Sequence, residues 1–234
     1  PAREPVSATL PESESRRRIK QMEVMVAEAV PETADTATLA AERITGWTED
    51  TAMTSDMWRG VECEPIARDI YSGHYHQAVE TGFMLREEPM PWDANEVARP
   101  VDEGVPTWRL GCSPDGLVGT DGLIEVKCPR AKGHLNTILS GQAPAFYMPQ
   151  LQAGLLVSGR EWIDYVSYVG GMPLFVKRVW PDPKWFDAIT AACVAFETNA
   201  AQIVADYETC VAGMPKTDKE VREGSWKPKS RDFH

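Results

Sequence analysis

None of the five cysteines, Cys63, Cys112, Cys128, Cys193 and Cys210, stands in a CxxC pair. An odd number without metal spacing predicts reduced thiols in a cytosolic setting. It also argues against an iron–sulfur centre, which takes four thiolates. Histidine is scarce, at four residues, and His74 and His76 have no third ligand at zinc spacing. No stretch approaches the roughly 18 consecutive apolar residues of a membrane span. No positively charged segment leading into an apolar one opens the chain. A cytoplasmic protein without a membrane partner is expected. Positive charge is also short, with 24 Lys and Arg against 35 Asp and Glu and a net charge of -11. That argues against a general nucleic-acid coat protein, whose affinity comes from cations on phosphates. It leaves room for an enzyme with a local basic groove, because carboxylates that hold a cation add negative charge of their own.

What is present suits one substantial core: 234 residues, 43% hydrophobic and 25% charged. Apolar spacing predicts helices over Ser13–Val30, Thr36–Ile44 and Thr54–Tyr71. Short strands are expected at Phe83–Arg86 and Thr107–Cys112, with an acidic, Pro-containing loop over Glu87–Gly104. Leu123–Val126 reads as a strand joined to the segment before it by the tight turn Gly119-Thr120-Asp121-Gly122. A helix within Gln142–Ser158, strands at Ile163–Val169 and Leu174–Val179, and a long helix over Lys184–Val211 complete the order. The fold class is α/β, a central mixed sheet flanked by helices. Residues 1–215 are expected to form a single domain, with N-terminal helices at 13–71 and a core at 80–212, followed by a polar, basic-leaning tail over 216–234.

The chemistry concentrates in Cys112-Ser113-Pro114-Asp115-Gly116 and Glu125-Val126-Lys127-Cys128-Pro129. A hairpin centred near Thr120 sets Asp115 opposite or diagonal to Glu125. Glu125 and Lys127, two apart on a strand, share a face. The three are expected to converge above one edge of the sheet. Two neighbouring carboxylates resist ionisation unless a cation sits between them, and Mg2+, with its preference for oxygen ligands, meets that need. The Val126 carbonyl can add a further oxygen. A metal so held polarises a phosphodiester and acidifies water. Lys127 then orients or helps deprotonate that water, or neutralises the transition state.

The fuller wording resembles a known family. Arg59-Gly60-Val61-Glu62-Cys63-Glu64, the two motifs above and Tyr147-Met148-Pro149-Gln150-Leu151-Gln152 are similar, in order and spacing, to the lambda-exonuclease-type, YqaJ-like viral recombinases of the PD-(D/E)XK nuclease superfamily. The resemblance implies a restriction-endonuclease-like core and a bacterial or phage origin. It implies Mg2+-dependent (Mn2+ can substitute), two-metal 5′-to-3′ degradation of one strand of linear double-stranded DNA to mononucleotides, leaving a 3′ overhang. It implies a homotrimeric ring and a single-strand-annealing recombinase as partner. By position, Asp115, Glu125 and Glu64 match metal ligands and Lys127 the catalytic lysine. Gln150 matches the helix glutamine that reaches the site. Glu62 competes with Glu64, but the two cannot share a helix face. Ser7-Ala8-Thr9 loosely resembles the family's 5′-phosphate element, with Arg3 a candidate basic partner. A restriction- or repair-type endonuclease and an inactive DNA-binding protein are the alternatives.

Other residues carry weaker signals. Arg16, Arg17, Arg18 and Lys20 fit a solvated helix end or a DNA contact equally. His134, in a basic run with Arg130 and Lys132, fits phosphate contact or a solvated loop. Trp58 is expected to pack, and Cys63, Cys112 and Cys128 to fill small buried space.

Overall fold

The computed structural model describes residues 34–48, 52–91, 106–215 and 217. The helix expected over Ser13–Val30 with its arginines, the Ser7-Ala8-Thr9 element with Arg3, and all of the tail but Thr217 lie outside the described residues.

Helix α1 (Ala34–Thr45) is followed by α2 (Ser55–His74). Thr54 opens α2, its hydroxyl accepting from the Met57 N–H, which satisfies one of the orphan donors of the first turn. Pro65 lies inside α2, so the ladder there lacks one N–H donor. Strands β1 (Ala78–Val79), β2 (Met84–Pro89), β3 (Thr107–Cys112), β4 (Gly116–Val118) and β5 (Gly122–Lys127) follow. After them come α3 (Ala131–Ser140), a 3-10 turn (Ala145–Tyr147), α4 (Met148–Ser158), β6 (Trp162–Ser167), β7 (Phe175–Val179) and α5 (Pro183–Cys210).

The strands form a five-stranded mixed sheet in the order β1-β4-β5-β6-β7, parallel only at β5–β6. Strands β2 and β3 pair separately, with Met84 opposite Cys112. The expected α/β architecture is present. Strand β5, which carries Glu125 and Lys127, is however the middle of the sheet, not its edge. The region expected as a loop from Glu87 is still strand as far as Pro89, because Glu87 binds Thr107 and Arg109 across the ladder.

Each face of β5 meets a different helix. Ile124 and Val126 pack with Ala67 and Tyr71 of α2. Leu123 packs with Leu151 and Leu155 of α4. Each such fully buried aliphatic side chain contributes about 1.5–3 kcal/mol. Across the sheet, the Tyr71 hydroxyl donates to buried Asp164 at 2.7 Å. Asp164 also takes both arms of Arg178, whose guanidinium lies 3.5 Å from the Trp162 ring centroid. This knot fixes the roll of α2 against β6 and β7.

Helix α3 falls in a stretch for which the sequence pattern predicts no element. His134 is 0% exposed, which overturns both the phosphate-contact and the solvated-loop expectations. Its Nε2 can only donate to the Pro173 carbonyl, at 3.0 Å, so in the neutral ring Nδ1 accepts from the Ser167 hydroxyl at 2.7 Å. Helix α5 is, among the described residues, the one helix apolar and long enough to cross a membrane by length and composition. Its Glu197 pairs with Arg43 of α1 at 2.8 Å.

Candidate active site

Asp115 lies one step beyond the β4–β5 register, Gly116 opposite Ile124, and so falls beside Glu125. Its N–H donates to the Ile124 carbonyl at 3.1 Å, and its Oδ2 accepts from the Val126 N–H at 2.6 Å. A residue in a strand sends its N–H and C=O toward the same neighbour, so the Val126 carbonyl also lies on the Asp115 side. Glu125 Oε1 accepts from Lys127 Nζ and from Gln150 Nε2, both at 2.6 Å. Lys127 Nζ stands 5.3 Å from the Tyr147 ring centroid, a cation–π contact that fixes its direction.

Glu64 reaches this group from the opposite face of the sheet, on α2. It lines a cavity of about 620 Å3 together with Asp115, Glu125, Val126, Lys127 and Gln150. The six residues singled out from sequence thus share one cavity at the C-terminal end of β5. Exposed Glu62 does not line it, which favours Glu64 of the two. Gln152, two positions from Gln150, is buried and instead ties α4 to the start of α5 through the Trp180 carbonyl and Asp182 N–H.

Four further residues contribute to the site. Arg68 donates to the Asp115 carbonyl at 2.6 Å and to Glu64 Oε1 at 3.2 Å. Its place one helical turn after Glu64 was the available signal. Tyr147, which opens the fourth family motif, walls the cavity beneath Lys127. Arg59 and Arg130, which share Asp56, stand on the cavity wall. Trp58, expected to pack, is 54% exposed. His74 and His76 are exposed, as expected of a surface pair.

The electrostatics follow from burial. Asp115 is raised to about 7, first by desolvation and then by the charge of Glu125, with the Val126 N–H pulling the other way. Burial also raises Glu125, against the opposing pull of Lys127. Burial and then neighbouring Cys63 push the Cys128 thiol up to about 12, and burial raises Cys112. Both are held as thiols, which removes them as nucleophiles at neutral pH.

The donor set suits a hard cation. Each carboxylate has one oxygen engaged: Glu64 by Arg68, Asp115 by Val126 and Glu125 by Lys127 and Gln150. The second oxygen of each has no hydrogen-bond partner among the described residues. Among those residues, no three His, Cys, Asp or Glu side chains stand close enough together to form a finished metal site.

The YqaJ-like viral recombinase domain matches residues 16–161. The chain belongs to this family. Its fold agrees with that of an alkaline exonuclease from Laribacter hongkongensis, at 30% identity over 81% of this chain and 92% of that one, with a TM-score of 0.63. The same enzyme in complex with dAMP matches with the same figures. A search of curated proteins finds no match. The family match spans the α2 carboxylate, the β4–β5 hairpin and the α4 glutamine, and ends just before β6. All the site residues of this YqaJ-like domain therefore lie within the matched span.

Proposed function

We propose that this YqaJ-like chain is a metal-dependent 5′-to-3′ exonuclease that degrades one strand of linear double-stranded DNA to mononucleotides and leaves a 3′ single-stranded tail. The observation that carries the reading is the shared cavity: three carboxylates, one lysine and one glutamine meet at the end of a single central strand. The alkaline exonuclease likeness supports the end-directed mode, and the dAMP complex of that enzyme supports a mononucleotide product.

Glu64, Asp115, Glu125 and the Val126 carbonyl would hold Mg2+ or Mn2+, since all are hard oxygen donors. Asp115 and Glu125 already lie side by side, and Glu64, its side chain 33% exposed on α2, would turn toward them to complete the set. A cation held there would supply Lewis-acid polarisation of the scissile phosphate and acidify a bound water, through two ions where the site fills fully. Lys127, held between Glu125 and the Tyr147 face, directs its ammonium at the attacking water or the developing phosphate charge. Gln150 fixes the orientation of Glu125 from the far side. Arg59 and Arg130 offer cations to the DNA backbone at the cavity wall, which reconciles a chain of net charge -11 with a polyanionic substrate.

Two remaining features rest on the family resemblance: a homotrimeric ring around the duplex and a single-strand-annealing recombinase that takes over the 3′ tail. Cysteine usage, length and composition support a cytoplasmic site of action and a single nuclease domain over residues 1–215 with a tail at 216–234. Closed symmetry would let the outer surface stay acidic while the inner one is basic.

Incubation with Mg2+ and linear duplex carrying a 5′-phosphate, beside a covalently closed circle, tests the proposal. Mononucleotides from the linear DNA alone support it. Nicked circles would support an endonuclease. Binding without any product would leave only a DNA-binding role. A monomeric mass in solution would remove the ring.

A further inference from the structure

Arg68 approaches the carboxylates from behind. It stands on α2 one turn after Glu64, its side chain 12% exposed, and it does not line the cavity. A single nitrogen, Nη1, donates to two acceptors: the main-chain carbonyl of Asp115 at 2.6 Å and Glu64 Oε1 at 3.2 Å. That nitrogen carries two N–H groups, one for each. The peptide that supplies the first acceptor has little freedom, because a Cβ at Gly116 would stand 3.1 Å from the Ile124 side chain. The other nitrogen, Nη2, comes within 3.8 Å of Glu80, whose side chain is 80% exposed, a pair too solvated to fix the arginine. The docking of α2 on the sheet has its own support in Ala67, Tyr71 and the Tyr71 bond to Asp164. What is left to Arg68 is local: it ties the helical acid to the main chain of the hairpin acid.

We infer that Arg68 is a positioning residue that presets the cation site: it joins Glu64 to Asp115 through one nitrogen and so raises the affinity of the carboxylates for a divalent cation. The inference rests on the metal-dependent reading above. Carboxylates gathered without a cation repel one another. Lys127 offsets this on the Glu125 side and Arg68 on the Glu64 side. Among the described residues, no other cation pairs with Glu64. A carboxylate tethered at one oxygen keeps the other for the cation, and the tether limits how far Glu64 can swing from Asp115. Ordering a ligand before the cation arrives reduces the ordering that binding must do. Asp115 is steadied by the same arginine at its carbonyl and by the Val126 N–H at Oδ2. Because Arg68 stays outside the cavity, it acts only through these two acids.

Calorimetric titration of Mg2+ and of Mn2+ into the DNA-free protein tests this. Arg68→Ala should weaken both cations by about tenfold or more, the usual effect of removing a partner that orients a metal ligand. Guanidinium ion, added well below unfolding concentrations, should restore part of the loss where ammonium ion does not. On linear duplex, the Mg2+ concentration for half-maximal cleavage should rise by the same factor, with KM for DNA unchanged. Tyr71→Phe is the control for a merely structural role. It loosens α2 from Asp164 and should lower the melting temperature while leaving cation affinity as in the wild type. Should Arg68→Ala fail to fold, Arg68→Lys carries the test: its ammonium ends one bond short of Nη1 and should still weaken the cations several-fold. Wild-type cation affinity in Arg68→Ala, or in Arg68→Lys where only that variant folds, would overturn the proposal and leave the exonuclease standing. An equal loss in Tyr71→Phe would also overturn it, making Arg68 a support of the helix alone. A wild-type protein that binds neither cation would instead remove the metal-dependent reading, and this proposal with it.

Discussion

Gln150 donates its Nε2 to Oε1 of Glu125 at 2.6 Å, on the same oxygen that takes the Lys127 ammonium. A helix on one face of the sheet thereby sets the orientation of a carboxylate in the central strand. A hydrogen bond to a charged group contributes about 1.5–3 kcal/mol. Gln150→Ala should therefore lower kcat on linear DNA by roughly 10- to 150-fold with little change in thermal stability. Steady-state kinetics decide it, and a variant with wild-type kcat would show that Gln150 positions nothing.

Lys127→Ala should reduce cleavage by at least about 10²-fold, the usual contribution of a positioned proton-transfer or charge-stabilising group. DNA binding should survive, because Arg59 and Arg130 are untouched. Gel-shift and cleavage measurements on one preparation separate the two effects. Loss of binding in parallel with cleavage would make Lys127 a substrate anchor instead.

The pH response has a definite sign. Asp115 titrates near 7, against an ordinary value of 3.8. The folded protein thus holds a proton that the unfolded chain has released between these two values. The stability this provides is present below about pH 4 and is lost as pH rises through about 7. A divalent cation competes with that proton, so its binding should strengthen as Asp115 ionises. The rise in melting temperature on adding Mg2+ should be larger at pH 8 than at pH 6. A reversed order would place the cation away from Asp115.

Arg178→Ala should destabilise the protein by about 3–5 kcal/mol, because it strands the buried Asp164 carboxylate. Arg178→Lys should recover only part of this, since a lysine cannot make the paired contacts or lie flat on Trp162. Urea unfolding measures both. A loss under about 1 kcal/mol for the alanine variant would mean that Tyr71 and solvent suffice for Asp164.

How much could be read beforehand depended on how local the signal was. Asp115, Glu125 and Lys127 were legible because a tight turn and strand alternation fix their relation within a dozen residues. Glu64 and Gln150 were legible only through the wording of the family motifs, since nothing local says that α2 and α4 close on the same strand end. Helix α3 was hidden because the basic run of Arg130, Lys132 and His134 shows no apolar period. The inward turn of His134 and Thr137, three apart, and the left-handed Gly141 after Ser140 mark it in retrospect. Strand β4, three residues long, is too short to show a period. The sheet order was out of reach because the parallel β5–β6 pairing joins segments separated by two helices. That order is what moves the site from an edge to the centre.

The Asp115 to Val126 hydrogen bond spans 11 positions of the chain, whereas the Arg68 to Asp115 bond spans 47. Loop-closure entropy favours the shorter contact, so a folding chain can form the β4–β5 hairpin before α2 docks. The acidic pair would then assemble ahead of the arginine that braces it. Mutations at Arg68, whose contact with Asp115 forms only once α2 has docked, should mainly alter the unfolding rate, whereas hairpin-turn mutations at Gly119 or Gly122 should slow folding itself.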